Sequence, residues 1–561
     1  MLLAAAGAQS DVRIVGVEGA VADNVLAHLD LDDEPCDAPE RRIAQRLRAA
    51  PAQVRSALEA FGYYAPEIAT QSVPREGCWH VELTIDPGPR VVLRRVDVAI
   101  DGEAADDPAF AAIRAAPGLA PGAPLEHAAY EELKRRLVDL AAERGYAEAR
   151  FDASRIDVYP AELAADVTLR FDSGPRYRFG PIVLEQDVLS ERMVRSYLGF
   201  EPGEPYDNRR LAALYVELSE SGYFSSIDVR PEAPDDETRT IPVRIALAGA
   251  PRRLITYGAG FSTDTGPRVT FGRTNRRWND RGHQFGVSAQ LSPVTSEVTA
   301  NYRFPFGDPR FQWVSFDAGA RREVTDTSES EGLEISARRV FERPGAWTRT
   351  ELVTWLIEDF EVADQVGRSR ILMPAIDWMR LRADNTIRPR RGSKIDIEVR
   401  GGSDRLGSDT SFLQTIVEGK WIWSAPSSAR FIVRTRAGVT WEREFEQLPP
   451  SVRFFAGGDN SVRGYAFEAL GPVDETGKVI GGAKLLTASF EYEHPLTGRW
   501  SLAAFVDSGN AFNGSRIDAK TGAGLGGRWQ SPLGPIRLDL AVPVDDEARS
   551  FRIHVSLGPD L

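Results

Sequence analysis

Two cysteines, four methionines and six histidines are few for a chain of 561 residues. No uninterrupted apolar run approaches the roughly 18 to 20 residues that a membrane-spanning helix requires, which excludes a helical membrane protein. A basic face is also missing: 68 Lys+Arg stand against 82 Asp+Glu, for a formal net charge of -14, and phosphate neutralisation on nucleic acid needs the opposite balance. Without a Cys-x-x-Cys spacing, the thiolate zinc sites are excluded. His28, His80, His127, His283, His494 and His554 are scattered with no metal-spaced pair, so no metal is expected. The carboxylate pairs Asp32-Asp33 and Asp545-Asp546 are adjacent rather than opposed across a cleft, which leaves a glycosidase without its geometry. Gly522-x-Gly524-x-x-Gly527 matches a dinucleotide fingerprint in form, but Trp529 and a Pro-Leu-Gly-Pro run stand where its helix should begin. It reads as a glycine-rich strand, and neither an enzyme nor a cofactor is expected. A β-barrel passes every one of these filters, because its strands are apolar on one face only.

Residues 1–10 read as a residual export signal or disordered end, in which Ala6-Gly7-Ala8 resembles a signal-peptidase site without the basic segment that should precede it. Behind it, two landmarks recur in the same order at a period near 80 residues. Helical patterns end at Phe61-Gly62-Tyr63-Tyr64, Arg144-Gly145-Tyr146-Ala147 and Ser221-Gly222-Tyr223-Phe224, where each glycine suits a left-handed helix terminus. Alternating strands then end at Gly88-Pro89-Arg90, Gly174-Pro175-Arg176 and Ala250-Pro251-Arg252. Each unit reads as strand, two helices and two strands: in the first, Val12–Val17, Ala22–Leu31, Pro51–Phe61, Pro66–Ser72 and His80–Ile85. The predicted modules cover 11–90, 91–175 and 176–250. Cys36 and Cys78 share the first module and are expected to form a structural disulfide if the chain is exported, or two separate buried thiols if not. The order and content of the units resemble the polypeptide-transport-associated (POTRA) domain, three in tandem.

From 251 to 561 helical periodicity gives way to period-two alternation. Phe285, Val287, Ala289 and Leu291 alternate with Gly286, Ser288 and Gln290, and Phe551, Ile553, Val555 and Leu557 alternate with Arg552, His554 and Ser556. One face suits lipid and the other water. About 16 antiparallel strands, at roughly 19 residues per strand and connection, fill the segment.

The most specific stretch runs Arg453-Phe454-Phe455-Ala456-Gly457-Gly458-Asp459-Asn460-Ser461-Val462-Arg463-Gly464-Tyr465. With Phe505-x-Asp507-x-Gly509 and Ser489-Phe490-Glu491, it resembles the BamA/TamA-type superfamily of outer-membrane protein insertases and translocases, in which a long loop folds back into the barrel. Three modules with this C-terminal tail resemble its TamA-type branch. The resemblance implies that Val462, Arg463, Gly464 and Tyr465 form the lumen-loop motif, anchored on the wall by Asp507, Glu491, Phe505 and Gly509. A guanidinium fork suits such carboxylates, and Glu491 and Asp507 share the lumen-facing parity if Phe490 and Val506 face lipid.

A barrel closes by pairing its first and last strands. Gly258 and Gly260 in the first strand are expected to pack poorly there, and Gly558-Pro559 to end a final strand carrying Phe551, Ile553 and Val555, since Pro559 donates no ladder bond. These residues are the predicted lateral gate; packing constraints at a barrel corner are the other reading of the glycine-rich first strand. The resemblance further implies residence in the outer membrane of a Gram-negative bacterium with the POTRA modules in the periplasm, a TamB-like partner anchored in the inner membrane, unfolded outer-membrane proteins such as autotransporters as substrates, contact with outer-membrane lipid, and one barrel per complex. A pore dedicated to one exported protein, of the two-partner-secretion type, is the alternative.

Overall fold

The computed structural model describes residues 11–557 apart from 32, 33, 37, 76, 77, 344, 386, 427, 532, 533 and 546–549. The predicted signal segment, Gly558 and Pro559 lie outside the described residues. The chain divides into two compact units, one of residues 1–185, 199–215 and 228–245, the other of 186–198, 216–227 and 246–561. Residues of the third repeat fall in both.

The first repeat consists of β1 (Asp11–Val15), α1 (Ala20–His28), α2 (Glu40–Glu59), β2 (Glu67–Arg75) and β3 (Cys78–Asp86). The second follows with β4 (Val92–Asp101), α3 (Pro108–Ala115), α4 (His127–Arg144), β5 (Arg150–Tyr159) and β6 (Ala164–Asp172), and the third with β7 (Arg178–Glu185), α5 (Glu191–Arg195), α6 (Asn208–Glu220), β8 (Phe224–Pro231) and β9 (Thr240–Gly249). Sheet orders are β1-β3-β2, β4-β6-β5 and β7-β9-β8, so the last strand of each repeat lies in the middle. That position explains its apolar alternation: Val81, Leu83 and Ile85, and likewise Val167, Leu169 and Phe171, are fully buried. On the opposing face, Tyr130, Leu133, Leu137 and Ala141 put one stripe of α4 into the core, and α4 ends at Gly145 with φ +82, as its sequence requires.

One helix differs from expectation. Pro51 does not open a helix but lies inside α2, which begins at Glu40. Proline removes the donor that would reach the carbonyl four residues back. Here the buried stripe Ile43, Ala50, Val54, Ala57 and Leu58 runs through that break, and tertiary packing outweighs the local cost. Cys36 is disulfide-bonded; the side chain of Cys78, the chain's other cysteine, lies outside the described residues.

Sixteen antiparallel strands close a barrel. They are β10 (Arg253–Ser262), β11 (Gly266–Asn275), β12 (Gln284–Leu291), β13 (Thr295–Pro305), β14 (Gln312–Val324), β15 (Ser328–Phe341), β16 (Thr348–Val362) and β17 (Gln365–Ala383), then β18 (Gly392–Gly402), β19 (Phe412–Ser424), β20 (Arg430–Glu442), β21 (Lys484–Pro495), β22 (Trp500–Phe512), β23 (Lys520–Ser531), β24 (Gly534–Pro543) and β25 (Arg552–Leu557). The glycine fingerprint at 522–527 lies within β23. Strand β22 shows how the two faces separate: Leu502 and Val506 are exposed outside, while Ser501, Ala503, Phe505 and Asp507 are buried inside.

The seam is unlike the other joints. Strand β10 pairs with β11 along its whole length, from Arg253↔Asn275 to Ser262↔Gly266, and β25 pairs with β24 from Arg552↔Ala541 to Leu557↔Ile536. Among the described residues, β10 meets β25 only at Ser262↔Ser556, with the Thr263 N–H donating to the Val555 carbonyl just beyond, at 3.3 Å. The expectation that the glycines of β10 pack poorly is corrected. Gly258 and Gly260 are not bare: a Cβ there would lie 2.3 Å from Thr270 Oγ1 and 2.7 Å from Arg268 Nε. Side chains of β11 lie across both glycines.

Candidate functional site

The long segment 443–483 joins β20 to β21 and lies against the inner wall. Its base is fixed by Arg453, which is buried and donates from Nε to the Leu448 carbonyl at 2.7 Å, from Nη1 to the Ile480 carbonyl at 2.9 Å and from Nη2 to the Glu446 carbonyl at 3.1 Å. Higher in the segment, Val462 is fully buried with Phe454, Ala456 and Leu470 of the loop and Ile416, Leu485 and Ala511 of the wall; Tyr465 packs against this cluster. Burial of that apolar side seats the loop, and its polar side carries the charge.

Arg463 is the centre of that polar side. Its Nε and Nη2 donate to the two oxygens of Asp507 at 2.7 and 3.0 Å, its Nη1 reaches Glu491 at 2.8 Å and Asp539 at 2.9 Å, and its backbone N–H also donates to Asp507, at 3.1 Å. The guanidinium carbon sits 3.4 Å from the centre of the Phe505 ring, a cation–π contact. Arg528 supplies a second cation: Nε and Nη2 donate to Glu491 at 3.1 and 2.7 Å, and Nη1 to Asp539 at 2.6 Å. Arg434 joins at the edge, donating to Ser489 Oγ at 3.2 Å. Three carboxylates thus face three guanidinium groups, the arrangement that buried charge requires.

The structure therefore brings Val462, Arg463, Gly464 and Tyr465 to a wall that includes Asp507, Glu491 and Phe505. Gly509, the last expected wall residue, has no room for a Cβ, which would lie 2.2 Å from the Leu486 carbonyl oxygen. The sequence reading missed Asp539, Arg528, Asp459 and the loop-side role of His554. For Asp539 and His554 a signal existed: each holds the water-facing parity of its strand, beside Leu538 and Leu540 or Ile553 and Val555. Gly522 is a further requirement, since a Cβ there would come within 1.7 Å of the Arg463 carbonyl oxygen. Only a bare backbone on β23 lets the loop approach so closely.

At the other end of the motif, Asp459 touches both strands of the seam. It accepts from Ser262 Oγ at 2.7 Å and Thr263 Oγ1 at 3.0 Å, its backbone N–H donates to Asp264 at 2.6 Å, and it pairs with His554 Nδ1 at 2.5 Å. The Gly464 N–H donates to His554 Nε2 at 3.0 Å. Of the predicted gate residues, Phe551 and Ile553 point outward and are exposed, while the Val555 N–H donates to Thr263 Oγ1 at 3.1 Å.

Residues 357–560 match the Omp85 superfamily domain. Residues 11–87 match POTRA domain TamA domain 1, and 177–247 match a POTRA model described as a surface antigen variable number repeat. The chain is 23% identical over 448 residues to outer membrane protein assembly factor BamA of Nitratidesulfovibrio vulgaris, covering 75% of this chain and 56% of that protein. It is 22% identical over 487 residues to BamA of Neisseria meningitidis serogroup B, covering 72% of this chain and 60% of that protein. The chain thus spans less than two thirds of the length of these curated relatives. In fold, it is similar to the crystal structure of Haemophilus ducreyi BamA lacking POTRA domains 1–3, with a TM-score of 0.58, 13% identity, and 98% of this chain and 99% of that chain covered.

Proposed function

We propose that this chain, an Omp85-superfamily outer-membrane β-barrel preceded by periplasmic POTRA modules, inserts or translocates other outer-membrane proteins by opening the seam between β10 and β25. The observation that carries this reading is that, among the described residues, the two strands share one register pair, Ser262↔Ser556. A backbone N–H or carbonyl stripped of its partner in hydrocarbon costs several kcal/mol. A joint with little ladder to lose is the least costly place to open, and an incoming β-strand can pair with the edge so exposed. The edge strands of the POTRA sheets offer the same chemistry to an unfolded segment before it reaches the barrel.

The finer reading is a TamA-type assembly factor for autotransporters and other β-barrels. It is supported by the match of residues 11–87 to the first POTRA domain of that type. On this reading the first module docks a TamB-like protein anchored in the inner membrane, and outer-membrane lipid contacts the seam. The test is a cysteine pair, Ser262→Cys with Ser556→Cys, in the full chain. Oxidation is expected to reduce assembly of an autotransporter barrel at least tenfold and reduction to restore it. Full activity in the cross-linked form overturns the seam as the route.

A further inference from the structure

We propose that the lumen loop, through Asp459, is the fastener of the seam, with His554 as the positioning residue that joins it to the last strand. This rests on the seam being the joint that opens, but its readout is the state of the seam and not assembly activity, so the two readings fail separately.

Among the described residues the ladder between β10 and β25 has one register position, yet the strand ends are held together. Beside the direct contacts of Thr263 with Val555, the strand ends are held from inside the barrel by a residue that belongs to neither strand. Asp459 accepts from Ser262 and Thr263 at the end of the first strand, and its backbone N–H donates to Asp264 in the following turn. The same carboxylate meets His554 of the last strand. One carboxylate oxygen, Oδ1, takes both Thr263 and His554, so first and last strands converge on a single atom of the loop. The carboxylate of Asp459, the imidazole of His554 and the carboxylate of Asp264 offer atoms within 4.8 Å of one another. The loop backbone is pressed close at this point: a Cβ on Gly458 would stand 2.5 Å from Asp264 Oδ2.

The hydrogen bonds also fix the imidazole. Nε2 accepts from the Gly464 N–H, so in the neutral ring the proton sits on Nδ1 and is donated to Asp459. His554 therefore bridges two points of the loop motif, five residues apart, to β25. Because Gly464 follows Arg463, the fastener and the salt-bridge anchor are consecutive parts of one loop. Releasing the loop from the wall would release the seam, and the barrel could remain closed by default and open when a substrate displaces the loop.

The test measures the distance across the seam in the full chain, with spin labels at Tyr257→Cys on β10 and Ile553→Cys on β25, both exposed outward. The variants are Asp459→Asn, His554→Asn and His554→Gln. Asparagine places an amide donor where Nδ1–H stood and keeps the Asp459 bond; glutamine places an acceptor where Nε2 stood and keeps the Gly464 bond. The loss of a hydrogen bond to a charged group is expected to raise the open-to-closed ratio roughly tenfold or more in Asp459→Asn and His554→Gln, with His554→Asn remaining near the parent. Heat-modifiable gel migration identifies folded barrels, and Asp459→Glu replaces Asp459→Asn if that variant does not fold. A parental distance distribution in Asp459→Asn, or equal opening of the two His554 variants, overturns the proposal, as does opening in His554→Asn with closure in His554→Gln.

Discussion

At the scale of single residues, the energy of the loop anchor is concentrated in Arg463. Removing one partner of a buried pair costs about 3–5 kcal/mol because the other is left uncompensated. That figure is an upper bound here, since a cavity of about 100 Å³ lies beside Arg463, Glu491 and Asp539, large enough for a few waters to soften the loss. The bonds are unequal in their alternatives. Glu491 and Asp539 retain Arg528 when Arg463 is removed, whereas Asp507 holds Arg463 through both carboxylate oxygens and the backbone N–H. A double-mutant cycle on barrel thermal stability is therefore expected to give a coupling energy toward the upper end of about 0.5–3 kcal/mol for Arg463–Asp507 and a smaller one for Arg463–Glu491. Equal couplings would contradict this ranking. Gly522→Ala should behave like loss of the anchor, because its Cβ would come within 1.7 Å of the Arg463 carbonyl oxygen; proteolysis of the loop in folded barrels would be faster than in the parent, and parental resistance would show that the wall can yield.

At the scale of elements, the POTRA repeats are joined at corners that the sequence advertises. Arg90 of the first Gly-Pro-Arg donates from Nε to the Phe61 carbonyl, and Arg176 of the second donates from Nε to the Arg144 carbonyl. Each therefore satisfies an orphan carbonyl at a helix end. Asp107 performs the corresponding task at a helix start: it caps α3 through the Ala109 N–H and also accepts from Arg144 Nε and Tyr146 Oη. Burial pushes its pKa up, but the Ala109, Arg144 and Tyr146 donors outweigh that and hold it below the ordinary value. A lowered carboxylate contributes stability above its unfolded pKa, near 4, and loses it as pH falls through the folded value. Asp107→Asn is thus expected to weaken the second repeat at neutral pH and to flatten its acid sensitivity below about pH 4, measured by hydrogen exchange of α3 and α4 amides in the intact chain. Unchanged acid sensitivity would remove Asp107 as its source.

At the scale of the whole molecule, the barrel's two faces obey opposite rules. On β22, Val506 is exposed on the outer face while Asp507, one residue later, is 0% exposed inside. Arginine at a lipid-facing position costs about 2–4 kcal/mol at the bilayer midplane and little near the interfaces. Val506→Arg is expected to lower the yield of heat-modifiable barrel in lipid vesicles and to have far less effect in detergent micelles. Equal yields in both would place Val506 away from hydrocarbon.

The sequence by itself determined the periodic features: three repeats with glycine at their helix ends, a barrel face for lipid and another for water, and a cationic loop motif with acidic residues on later strands. These are legible because they depend on local spacing, 3.6 residues for a helix and two for a strand. Only the tertiary structure decided that α2 runs through Pro51, that Asp539 and Arg528 complete the anchor, and that Asp459 meets His554 across 95 positions of chain. Register is the reason. Shifting a strand by one residue reverses its faces, but shifting it by two leaves every pattern intact while changing every neighbour. Alternation thus fixes which side chains enter the lumen, whereas barrel closure fixes which of them meet.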